Sequence, residues 1–209
     1  MEGKTELDFL EQILPLVKKP ARYAGGEWNA VRKDWETVEY RVAFAFPDVY
    51  EVGMSHLGLQ ILYDIVNRRS DTLMERVFAP WTDMEEKMRE GGLPLFALES
   101  RRPLLDFDMV AFTLQYEMSF SNVLNMLDLA GIPRDSGRRT DGFPLIVAGG
   151  PCAYNPEPLA DFIDVFVIGE GEEAIGELLD VLIKLKRQNV SRQELLFESA
   201  RLPGVYVPS

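Results

Sequence analysis

Few side chains in this sequence are equipped for chemistry, and that scarcity is the first constraint. One histidine, His56, rules out zinc motifs built on a histidine pair. One cysteine, Cys152, rules out an intramolecular disulfide or an all-cysteine metal cluster. The remaining candidates fall in four short stretches, 47–55, 113–119, 149–155 and 169–173, each following an apolar run. In the last of these, Gly169-Glu170-Gly171-Glu172-Glu173-Ala174 has the GxGxxG/A spacing by which a helix N-terminus receives a pyrophosphate. The charges oppose that ligand. Glu170, Glu172 and Glu173 would face it, and like charges about 4 Å apart repel by roughly 4 kcal/mol at an effective dielectric near 20. Glu172 and Glu173 suit instead the first turn of a helix, whose dipole they complement.

A phospho-receiver site is excluded too, because Thr113 and Gln115 stand where its acceptor aspartate belongs and no lysine stands directly after Ile168 at the strand end. Gly149-Gly150-Pro151 carries more information. Glycines directly after a buried strand allow a ligand or a chain segment to approach the backbone, or else make a tight turn. Thr113 and Gln115 end a neighbouring strand and offer a hydroxyl and an amide to the same place, although the hydroxyl could equally bond to backbone. These groups describe a slot lined by small neutral atoms, suited to a large neutral or weakly charged ligand rather than to a polyphosphate.

Such a slot needs a sheet edge to hold it. Residues 41–46, 74–79, 108–114, 145–148 and 165–168 read as strands with continuous apolar character, and a further short strand is expected over 95–98. Between them the patterns are helical. Ser55 is the expected N-cap of a helix carrying Leu59, Leu62, Ile65 and Val66, with further helices over 83–90, 119–130 and 172–186. This alternation predicts an α/β fold, a flavodoxin-like (Rossmann-like) parallel sheet with helices on both faces. Right-handed crossovers then bring all four loops to the strand C-termini, where such folds bind ligands. Residues 1–40 read as an N-terminal arm, with a short amphipathic helix around Phe9 to Val17 and two tryptophans, Trp28 and Trp35, in polar surroundings; it packs on its own domain or on a partner.

Composition narrows the partners. The 209 residues carry 22 Lys+Arg against 34 Asp+Glu, a formal charge of −12, which excludes a surface built to coat nucleic acid. No apolar run approaches the ~18–20 residues of a spanning helix, so no membrane partner is indicated. Met1 to Glu6 lacks the features of a signal peptide, and a cytoplasmic location is expected.

Four segments together carry a resemblance. They are Ser55-His56-Leu57-Gly58-Leu59, Thr113-Leu114-Gln115, Ile146-Val147-Ala148-Gly149-Gly150-Pro151 and Asp164-Val165-Phe166-Val167-Ile168-Gly169-Glu170-Gly171-Glu172. Over residues 41–188 the chain resembles the cobalamin-binding domains that precede radical S-adenosylmethionine enzymes, and looks most like the N-terminal part of an uncharacterised bacterial group of them. The resemblance implies a domain that holds cobalamin, with the nucleotide tail in the slot and the corrin over the strand C-termini. Gly149, Gly150 and Pro151 would flank the tail, Thr113 and Gln115 would contact its sugar or phosphate, and Gly169, Glu170 and Gly171 would border the base. Tyr50, Ser55 and His56 would lie beneath the corrin.

Two departures from the family pattern matter. Its Asp-x-His-x-x-Gly frame, whose histidine ligates cobalt, reads Asp48-Val49-Tyr50-Glu51-Val52-Gly53 here, and a phenol is a poor cobalt ligand beside an imidazole. His56, three residues beyond the frame, either approaches cobalt or bonds a nearby backbone group. The CxxxCxxC frame that holds the family's [4Fe-4S] cluster is absent. The cluster and S-adenosylmethionine are therefore expected only in a radical SAM domain C-terminal to this chain, with residues 189–209 as a helical segment and extended linker towards it. The chain alone is expected to have no catalytic residue and no metal ligand. The competing reading is a docking domain of the same fold that has lost the ligand, its slot filled by Tyr50 and by Phe46 or Tyr154, and that packs on the radical SAM barrel.

Overall fold

The computed structural model describes residues 6–208; Met1 to Thr5, which include most of the segment read against a signal peptide, and Ser209 lie outside it. Six strands form one sheet in the order β2-β1-β3-β4-β5-β6. They are β1 (Tyr40–Phe46), β2 (Thr72–Phe78), β3 (Met109–Thr113), β4 (Leu145–Gly149), β5 (Val165–Val167) and β6 (Val205–Tyr206). The first five are mutually parallel, and β6 adds antiparallel to β5. The fold is thus α/β and consistent with a flavodoxin-like sheet. Chain order reverses between β1 and β3, so the C-terminal ends of those strands flank the crevice typical of this topology.

Helices cover both faces because the strands are apolar on both. The elements are α1 (Glu6–Ile13), α2 (Ala21–Ala24), α3 (Tyr50–Met54), α4 (Leu57–Arg68), α5 (Thr82–Gly91), α6 (Phe120–Leu129), α7 (Gly171–Gln188) and α8 (Arg192–Ser199). On one face α4 buries Leu59, Tyr63 and Val66, and α7 buries Leu178, Leu179 and Leu182 at helical spacing. Acidic Glu172 and Glu173 open α7, basic Lys186 and Arg187 close it, and Asn189 ends it at φ 53°. On the other face α5 and α6 share a core with the arm, which contributes Leu10, Ile13, Val17 and Tyr23. Phe9 lies directly on Gly91, where a Cβ would fall 1.8 Å from its ring. Trp35 stands edge-on to Phe107 at 5.1 Å, with Arg102 4.3 Å from its ring centre, whereas Trp28 is fully exposed.

The arm is therefore part of the domain core. Deleting residues 1–36 removes the buried side chains of Leu10, Ile13, Val17 and Tyr23, each contributing about 1.5–3 kcal/mol, and should lower the melting temperature sharply. An unchanged melting curve would contradict the packing.

Three expectations change. Residues 95–98 form no sheet strand. They run along the outer edge of β2, where the Leu98 amide donates to the Arg76 carbonyl at 2.8 Å, with a single bridge between Phe96 and Pro103. This segment covers the exposed edge of β2. Next, the stretch 47–55 contains the short helix α3, whose Gly53 admits the rings of Phe78 and Phe46 against its backbone. Finally, the extended segment at the C-terminus does not simply leave the domain, because Gly204 (φ 73°) turns Val205 and Tyr206 back along β5.

Beneath the covered edge lies Glu75, buried and accepting hydrogen bonds from the Ser100 amide and hydroxyl at 3.1 and 2.5 Å. Burial pushes its carboxyl up to about 7, against those hydrogen bonds and with added repulsion from Glu99. A folded value above the ordinary unfolded one near 4.3 means that the contribution is complete below pH ~4 and is lost as pH rises through about 7. Glu75→Gln should remove that loss, gaining about 1–3 kcal/mol at pH 8 with little change at pH 4. Urea unfolding at the two pH values reads it, and an equal loss with pH in both proteins would contradict it.

Candidate functional site

A cleft of about 170 Å³ opens beyond the C-terminal halves of β1, β3, β4 and β5, on the face covered by α4 and α7. Period-two alternation of the strands supplies its floor: Phe44, Ala111 and Thr113, Val147 and Gly149, and Val167. Thr113 and Gly149 are direct cross-strand neighbours. The walls come from the first turns of the two helices, with His56, Gly58 and Leu62 on one side and Gly171, Glu172 and Ile175 on the other. The volume is below the ~300–1,000 Å³ that encloses a drug-sized ligand. It suits one moiety of a larger molecule whose body lies over the rim.

The polar groups in the cleft are neutral except for Glu172 at its edge. The Gln115 Nε2 amide donates to the Thr113 Oγ1 hydroxyl at 2.6 Å, which keeps both side chains against the strand ends. Gly149 and Gly150, adjacent in sequence, have different reasons to be glycine. Gly150 has φ 97°, and a Cβ there would sit 2.9 Å from the Leu114 carbonyl oxygen, so its backbone demands glycine with no ligand present. A Cβ at Gly149 would meet nothing closer than the Val167 carbonyl oxygen at 3.6 Å. Gly149 therefore tolerates a Cβ in ordinary contact with Val167, and anything larger would reach into the cleft that it lines.

Of the sequence-predicted site residues, His56, Thr113, Gln115, Gly149, Gly150, Gly169 and Gly171 line this one cleft. The other four stand outside it. Tyr50 donates its hydroxyl to Glu27 Oε1 at 3.2 Å and sets its ring edge-on to Phe78, and burial raises its phenol above the usual value. Ser55 is exposed and donates to the Val52 carbonyl at 2.9 Å. Pro151 opens a 3-10 turn on the exposed rim, and Glu170 precedes α7, also exposed. The expected cap is corrected: His56, not Ser55, is the N-cap of α4, its Nδ1 accepting the Leu59 amide at 3.1 Å. The Nδ1 that accepts this bond carries no proton. Neither Phe46, buried against the His56 ring, nor Tyr154, which is 70% exposed, fills the cleft.

Sequence reasoning missed Ala111, Val147 and Val167, each two residues before a predicted position, and Phe44, the cross-strand neighbour of Ala111. It also missed Glu27, and no local pattern in the arm points to its contact with Tyr50. Among the described residues no group of three His, Cys, Asp or Glu side chains could hold a metal ion, and no helix is long and apolar enough to cross a membrane.

Residues 58–208 match a family described as the N-terminal region of radical SAM proteins. An uncharacterised protein of Methanocaldococcus jannaschii is 28% identical over 146 residues, which cover 69% of this chain and 26% of that protein. The chain thus spans about a quarter of the length of the curated relative it matches. No solved structure matches it.

Proposed function

Because this chain belongs to the family of N-terminal domains of radical SAM proteins, we propose that it is the cofactor-holding module of such a protein, receiving the nucleotide tail of cobalamin in the cleft. The observation that carries the reading is Gly149 in the floor of the cleft, where a Cβ makes only ordinary contact with Val167 and a larger side chain would extend into a slot lined mostly by neutral groups. Thr113 and Gln115 would hold the polar part of the tail, and Gly169 and Gly171 would let its base lie close to the backbone. Cobalamin would supply cobalt chemistry at the strand-end edge. The iron–sulfur cluster and S-adenosylmethionine would belong to the radical SAM domain, and this chain would bind and orient without catalysing.

No imidazole is offered to cobalt in this reading. Tyr50 stands in the histidine position with its hydroxyl turned to Glu27, and His56 uses Nδ1 as a helix cap. Mixing the protein with hydroxocobalamin and desalting should leave cobalamin bound with a base-off spectrum, and His56→Ala should leave that spectrum unchanged. A spectral shift in the variant would make His56 a cobalt ligand. If the wild-type protein retains nothing, the cofactor reading fails and the ligand-free docking reading replaces it.

A further inference from the structure

A second cavity lies at the opposite edge of the sheet from the cleft and shares no lining residue with it. It measures about 360 Å³, within the range that encloses a small organic ligand. It opens at the N-terminal ends of β1, β3 and β4, beside the end of α7 and the start of α8. Phe107, Leu145 and Leu185, all buried, give it apolar walls.

One buried polar group in this cavity has no partner. Tyr40, the first residue of β1, is 3% exposed and lines the cavity, and its hydroxyl makes no hydrogen bond among the described residues. Burial and the neighbouring Asp108 hold its phenol well above the usual range, against a smaller opposing effect of Arg192, so the hydroxyl is neutral. A buried hydroxyl left unpaired costs free energy, which a hydrogen-bonding ligand in the cavity would recover.

The charges around it set the sign of that ligand. Both cations of the lining are already balanced, Lys186 by Asp108 at 2.5 Å and Arg192 by Asp164 at 2.5 Å. Asp141 is not. One of its oxygens accepts the Arg192 backbone amide at 2.7 Å, but it takes part in no ion pair among the described residues. The C-terminal end of α7 adds the negative pole of a helix dipole. We propose that this cavity binds a short aliphatic diamine, one ammonium group meeting Asp141, the stem lying against the apolar walls and the other end donating to the Tyr40 hydroxyl. A net charge of −12 favours the approach of such a cation. The site is independent of the cofactor reading, which concerns the other edge of the sheet.

The test titrates the full-length protein with putrescine by isothermal calorimetry at fixed ionic strength, with butyrate as an anion of similar stem. Putrescine should bind saturably and butyrate should not bind. Asp141→Asn keeps an oxygen for the Arg192 amide but carries no charge, and should weaken putrescine by about tenfold or more. Tyr40→Phe keeps the ring and removes the hydroxyl, and should weaken it by about three- to tenfold. Circular dichroism establishes that both variants are folded. No saturable binding of putrescine, equal binding of butyrate, or undiminished binding by either folded variant would overturn the inference.

Discussion

Glu99→Ala is expected to destabilise the domain by about 3–5 kcal/mol, enough to abolish most of the stability of an ordinary domain. The Arg76 and Glu99 side chains are 0% and 1% exposed, and Arg76 Nε donates to Glu99 Oε1 at 2.6 Å. Glu99 Oε2 also accepts the backbone amide of Arg76 at 2.8 Å, so one carboxylate both balances a buried guanidinium and satisfies the edge of β2. Arg76 is further held by Asn29 at 3.0 Å and lies 4.5 Å from the ring centre of Tyr63. Alanine would leave a buried charge and a buried amide unpaired together. Removing both charges with Arg76→Met and Glu99→Leu should recover much of the loss, because the two desolvation penalties disappear with the pair. Urea midpoints for the single and double variants measure this. A single variant within about 1 kcal/mol of wild type would place the pair in water rather than in the core.

The contrast between this pair and the cleft shows which features are legible in the sequence. Apolar runs, helix periodicity and glycines after strands are local signals, and they locate the parallel strands and the ring of loops. Thr113 and Gly149 can be assigned to one edge from the amino-acid pattern alone, because each ends an apolar run and parallel topology brings such ends together. Arg76 and Glu99 give no such signal. Glu75 and Arg76 interrupt β2 with charges that normally argue for solvent, and their partners lie in a segment whose apolar residues suggest another strand. The arm is equally opaque, since only tertiary contact unites Glu27 with Tyr50 and Phe9 with Gly91. Ser55 is a better capping residue than histidine by type, yet α4 begins one residue later and His56 takes the position.

Gly149→Val should abolish cobalamin retention while leaving the fold intact, and it is the second large effect expected. Its Cβ would make only ordinary contacts, the closest 3.6 Å from the Val167 carbonyl oxygen, and the valine methyl groups would extend into the cleft. A loss of at least tenfold in affinity corresponds to about 1.4 kcal/mol. Gly150→Val cannot serve the same purpose, because its φ of 97° and the 2.9 Å approach to Leu114 would damage the strand end with or without a ligand. Circular dichroism establishes that the Gly149 variant is folded. Undiminished retention by a folded Gly149→Val protein would move the ligand out of this cleft.

The most direct measurement compares two corrinoids that differ in the part the cleft is proposed to hold. Equal amounts of hydroxocobalamin and of cobinamide, which lacks the nucleotide tail, are mixed with the wild-type protein, desalted and read by visible absorbance. Retention of cobalamin with loss of cobinamide is the expected result, because the tail would provide the anchoring contacts at Thr113, Gln115 and Gly149. Equal retention of both, or of neither, would contradict the assignment of the cleft to the tail.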